Sequence, residues 1–81
     1  MVKYPILLSA VPLDNYKLAL TFSGNEQRIY DFSPNLSHKY YSSLSDVKLF
    51  KNVSVVNGEV LWITGQDFCP HTLYEQSIPV I

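Results

Sequence analysis

The stretch "GQDFCPHTLYEQS", residues 65–77, places an acid, a thiol and an imidazole within five positions: Asp67, Cys69 and His71. A cysteine thiolate beside an imidazole can act as a nucleophile if N–H donors stand ready for the oxyanion that develops. A helix start could supply those donors and lower the thiol pKa as well. The same residues have a purely structural reading. Proline is favoured at the first helical position, so Cys69, just before Pro70, occupies the N-cap slot. A thiol accepts hydrogen bonds poorly. Asp67 would then take the free N–H groups and complement the positive end of the helix dipole.

The rest of the chain offers little other chemistry. His38 and His71 have no Cys or His partner at ligand spacing, so no metal site is expected. Asp31 follows an aromatic residue at a strand end and suits a helix-entry acceptor, but nothing in the spacing brings it to Asp67 as an acid/base pair. Gly24, Gly58 and Gly65 each stand alone in a turn, so no phosphate loop exists. No catalytic residue, cofactor or metal ligand is assigned, and the sequence reads as that of a non-enzyme.

Cys69 is the sole cysteine, which excludes an intramolecular disulfide and fits a reducing, cytoplasmic setting. The apolar run at 5–13 is far shorter than the ~20 residues a membrane helix needs, and no cleavage site follows it. Six basic and seven acidic side chains give a net charge of −1, without the basic excess that phosphate backbones attract. No Lys or Arg occurs from Asn52 to Ile81, so the C-terminal part is weakly acidic.

Tyrosine is plentiful, with six in 81 residues. Tyr40 and Tyr41, flanked by His38 and Lys39, could anchor a protein interface or stack on bases. The plainer reading packs Tyr40 on the sheet and leaves Tyr41 half exposed. Tyr40, Tyr41 and Tyr74 together form the candidate interaction surface, while Trp62 is assigned to the core.

These residues need elements to hold them. "YKLALTF" alternates with period two and points Tyr16, Leu18, Leu20 and Phe22 to the core; "SGNE" turns it into "QRIYDF" as a hairpin. "ILLSAV", between Pro5 and Pro12, reads as an edge strand. Ser33, Pro34 and the spacing of Leu36, Tyr40 and Leu44 predict a short helix. "SDVKLFKNV" has no clean period and reads as a connection. Asn57-Gly58 marks a two-residue hairpin turn, which sets Val55 against Val60 and Val53 against Trp62. A terminal helix over "PHTLYEQS" presents Leu73 to the core, with Tyr74 and Ile78 beside it. The sum is a single α+β domain spanning 1–81: a small antiparallel sheet of about five strands, two hairpins plus an edge strand, with two short helices.

In this order, "YKLALTF", Glu26 in its Gly turn, "RIYDF", "LSDVKLF", "NGEVLW" and "DFCPHTLYEQS" resemble DUF2442, a family of small bacterial domains of unknown function. The resemblance covers about residues 10–77. It implies a small α+β fold and no established reaction. Some relatives carry an added helix-turn-helix segment, which this sequence lacks, so direct DNA binding is not expected. Other members stand beside a second small family in a toxin–antitoxin-like arrangement, which implies a protein partner. Only Asp67 and Pro70 of the corner match the family pattern, and relatives resemble Ser-Pro where this chain has Cys69-Pro70. Capping therefore outweighs catalysis. The functional expectation is a cytoplasmic, non-catalytic protein-interaction module, antitoxin-like or accessory to regulation, with a homodimer through the edge strand as an added option. The alternative is a small-molecule or nucleotide-binding module with a cleft lined by Tyr and Trp.

Overall fold

The computed structural model describes residues 4–80. In chain order these form β1 (Leu7–Leu13), β2 (Lys17–Phe22), β3 (Glu26–Asp31), α1 (Val47–Lys51), β4 (Val53–Val56), β5 (Glu59–Trp62), β6 (Asp67–Phe68), α2 (Pro70–Gln76) and β7 (Ile78–Pro79). Short 3-10 segments cover Asp14–Tyr16, Ser33–Ser37 and Lys39–Ser45. Every strand pair is antiparallel, in two sheets ordered β1-β2-β3-β7 and β4-β5-β6. The α+β class is as the sequence indicates. The strands are split between two sheets, and two-residue β6 and β7 add to the five that the sequence predicts.

Both hairpins follow from their turns. Asn57 and Gly58 take φ of +52° and +80°, the left-handed pair a two-residue turn requires, and β4 meets β5 with Val55 opposite Val60 and Val53 opposite Trp62. Gly24 and Asn25 likewise lie at +81° and +61° between β2 and β3. Pro12 falls inside β1, where an edge position lets its missing N–H face away from the ladder. Leu8 is the extra residue of a bulge between Leu7 and Ser9.

Four expectations are corrected. Tyr16 does not begin β2: it sits in the preceding turn at φ +60°, beside Asn15 at +62°. Left-handed backbone costs a tyrosine about 1–2 kcal/mol. The surroundings hold it there: its hydroxyl donates to the Ser45 carbonyl, its ring stands edge-on to Phe50 at 5.3 Å, and its carbonyl accepts the Phe32 N–H at 2.9 Å.

The segment 33–45 is not one α-helix but two 3-10 pieces. Ser37, Ser42 and Ser45 each donate a hydroxyl to the carbonyl three residues earlier, competing with i→i+4 backbone bonding. At three residues per turn, four-residue spacing no longer shares a face. Leu44 is buried, whereas Tyr40 is 56% exposed and does not pack on the sheet.

Ile78 does not extend the terminal helix. The helix closes with Ser77 N–H on Leu73 O, and Ile78 pairs with Ile29 of β3. Residues 47–51, read as a connection, form α1, capped by the Asp46 carboxylate on the Lys48 N–H at 2.9 Å.

The core lies between the sheets. Leu18, Leu20, Phe22 and Tyr30 face inward from the first sheet, Val60 and Trp62 from the second, and Phe32, Leu44, Phe50 and Leu73 enter from the connections, α1 and α2. Phe32 is the hub, with ring centroids 4.9 Å from Trp62, 5.3 Å from Tyr41 and 5.5 Å from Phe68. Each such buried side chain contributes about 1.5–3 kcal/mol. Trp62 is core, as expected, and its indole N–H donates to the Phe50 carbonyl at 3.0 Å, tying α1 to β5. No helix among the described residues is long and apolar enough to cross a membrane.

Candidate interaction surface

At the 65–77 corner, α2 begins at Pro70 with Cys69 as its N-cap residue in extended backbone. The Cys69 thiol makes no cap hydrogen bond, but it lies toward the Thr72 amide and, more weakly, the His71 amide, which lower its pKa. The thiol is exposed. Among the described residues no hydrogen bond joins it to His71, whose ring stacks on Tyr4 at 4.3 Å and 14°. The nucleophile–base pair is not assembled.

Asp67 does not act as the helix cap either. It pairs with Leu61 in the second sheet, so its side chain leaves from the sheet's outer face, away from the amides of α2. Its carboxylate receives the Tyr40 hydroxyl at a long 3.5 Å, and its carbonyl receives the Tyr41 hydroxyl at 2.9 Å. Capping chemistry of the expected kind occurs at Asp31: its carboxylate accepts the Ser33 hydroxyl at 2.7 Å and the Ser33 N–H at 3.0 Å, which hold its pKa below the usual value.

Tyr40 and Tyr41 form an edge-to-face pair with centroids 4.7 Å apart. Tyr41 is half-buried against Phe32 and Phe68, and so fixes the exposed Tyr40 beside β6. Gln66, a residue with no distinguishing mark in the sequence, secures this edge. Buried, it donates from Nε2 to the Tyr40 carbonyl at 3.1 Å and to Ser43 Oγ at 2.7 Å, while its own carbonyl accepts the Trp62 N–H at 2.9 Å. An amide in a turn carries no periodic signal; only its burial betrays it.

The outer face of the second sheet exposes Val56 and Leu61, and Ile63 is exposed just past the end of β5. Leu61 stands between Ser54 and Asp67 in register, and a depression of about 480 Å³ lies beside Lys51, Ser54, Leu61 and Ile63. On the surrounding face the carboxylates of Glu59 and Asp67 outnumber the ammonium of Lys51, which lines the depression, so the charge is weakly acidic. The result is an apolar patch rimmed by two carboxylates and one lysine, with an ordered aromatic at Asp67.

Tyr74 does not join this surface. It is half-buried on Phe22 at 5.1 Å, under the Arg28 guanidinium at 4.5 Å, with its hydroxyl on Glu26 at 3.1 Å. Arg28 in turn donates to Glu26 at 2.9 Å, to Ser77 Oγ at 2.6 Å and to the Ser77 carbonyl at 2.7 Å. This corner fastens the chain's last segment to β3.

A family model described as a protein of unknown function (DUF2442) matches residues 7–79. The chain belongs to this family. No curated protein and no solved structure matches it. The match takes in both sheets of the DUF2442 domain, and several landmark residues are accounted for by structure: Trp62 in the core, Asp31 at a turn, Asp67 under two tyrosines. Among the described residues no three of His, Cys, Asp and Glu converge as metal ligands.

Proposed function

We propose that this DUF2442 domain is a non-catalytic, cytoplasmic protein-interaction module, antitoxin-like or accessory to a regulator. The observation that carries the reading is the edge of the second sheet, where Tyr40 stands 56% exposed on a packed Tyr41 with its hydroxyl at Asp67, the register partner of exposed Leu61. A rigid aromatic beside aliphatic side chains is the pattern of an interface anchor. The acidic rim and the absence of Lys or Arg after Lys51 favour a partner whose contact surface is apolar and basic.

The test is capture from host lysate with the wild-type chain and with Tyr40→Ala and Ile63→Glu, read by quantitative mass spectrometry. A stoichiometric protein held by the wild type and lost by both variants supports the reading. Equal recovery on all three baits sinks it.

A second reading has one observation behind it. The groove of about 370 Å³ bounded by Leu13, Asn15, Tyr16, Phe50 and Lys51 has the size of a small-ligand site, and Tyr16 is held there in left-handed backbone. The ring of Trp62 contributes nothing to such a cleft, being buried. A metabolite screen by thermal shift tests it: a hit abolished by Lys51→Ala supports a ligand role, and a blank screen removes it.

A further inference from the structure

The outer face of the first sheet is uncovered, and its residues are ordered in rows. In one row Val11 of β1 lies beside Ala19 of β2, Ala19 beside Ile29 of β3, and Ile29 beside Ile78 of β7. Val11 is 53% exposed and Ile78 71%. The adjacent row places Lys17 beside Asp31, both exposed, and the row on the other side places Thr21 beside Gln27.

We infer that this face packs against the same face of a second copy, about a two-fold axis running along the strands between β2 and β3. That operation lays each row over itself with the strand order reversed. Val11 then meets Ile78 of the second copy, and the small Ala19 meets the large Ile29. Lys17 meets Asp31 of the second copy, and Asp31 its Lys17. Thr21 meets Gln27. An isologous interface requires such self-complementarity, and here the apolar row, the Lys17–Asp31 pair and the Thr21–Gln27 pair satisfy it under one operator. An axis across the strands would instead set the charged row over the Thr21–Gln27 row and leave both ion pairs unmade.

The area sets the strength. Strands ~4.8 Å apart, rising ~3.3 Å per residue, give a face of about 19 by 18 Å. Two such faces cover about 700 Å², below the ~1,000 Å² of a stable interface, so the dimer is weak and transient and not obligate. Aligned sheets pack at about −30°, which their natural twist permits. The two outer faces belong to different sheets, so this dimer does not rest on the partner-binding edge proposed above.

Sedimentation velocity of the full chain from low micromolar to submillimolar concentration tests it. The wild type is expected to shift from monomer to dimer, and Ile29→Glu, which leaves Asp31 and its turn intact, to weaken association more than tenfold. Lys17→Glu and Asp31→Lys alone should each self-associate poorly, because like charges then face each other. Mixed in equal amounts, the two should form a heterodimer of near wild-type affinity, since every charged position again meets its opposite. A wild type that stays monomeric overturns the proposal. So does a dimer that survives Ile29→Glu, which would place the contact at the β1 edge, or a mixture of the two folded charge variants that fails to associate.

Discussion

Tyr40 and Tyr74 are the same residue type, each within reach of a carboxylate, yet they do opposite work. Tyr74 lies between Phe22 and the Arg28 guanidinium and its hydroxyl is taken by Glu26, so its contacts are spent inside the molecule. Tyr40 leans on one neighbouring ring, reaches Asp67 only at 3.5 Å and presents the rest of its surface to solvent. The difference lies in what stands across from each. Tyr74 faces a cation and an inward sheet end, whereas Tyr40 projects from a 3-10 segment beside a two-residue edge strand. A tyrosine becomes available to a partner only where the fold has no use for both its face and its hydroxyl.

The sharpest way to break this contrast is Arg28→Ala. It removes a stacked guanidinium and three hydrogen bonds, two of them to buried Ser77, and is expected to cost about 2 kcal/mol in urea unfolding. The Glu26 pair supplies little of that, because its carboxylate is a third exposed. Tyr74→Phe keeps the ring and loses only the hydroxyl, so its Tm should fall by less, about 3 °C.

Alkaline pH should erase that difference. The hydrogen bond to Glu26 raises the Tyr74 pKa, with burial and the Glu26 charge adding to it. A group whose folded pKa is raised stabilises fully below its unfolded value, about 10 for tyrosine, and loses that contribution as pH climbs through the folded value. Melts of wild type and Tyr74→Phe should therefore converge as pH climbs past about 10 and through the raised folded value. Tyr40→Ala should change stability by less than about 0.5 kcal/mol while abolishing partner capture. The smallest effect concerns the corner: His71→Ala should leave the alkylation rate of Cys69 unchanged, since the thiol is tuned by helix amides and not by the imidazole.

What was legible in the sequence was local. Asn57-Gly58 and Gly24-Asn25 declared their hairpins because left-handed turn residues leave few alternatives, and the alternation in "KLALTF" fixed which side faces the core. Pro70 begins its helix where a proline should. The two short strands were hidden because two-residue strands have no period; β7 exists only because its backbone finds β3 some fifty positions earlier in the chain. The helix predicted over 34–44 misled for a related reason, since serine hydroxyls diverted it into 3-10 turns. At the site, residue types pointed to Asp67 and the tyrosines, but not to what each would meet. Asp67 as cap failed on direction alone, because a strand residue projects to one face and the free amides lay elsewhere.

Trp62 is the only tryptophan in the chain, and its indole is bonded to the carbonyl of Phe50 and enclosed by aromatic rings. Its emission is thus a single-site gauge of the junction between α1 and β5. Selective excitation at the red edge of the absorption band would track that junction alone, free of overlapping signals from other indoles. A blue-shifted band marks it closed, and movement toward longer wavelength during partner or ligand addition would show that binding pries the second sheet from its helix.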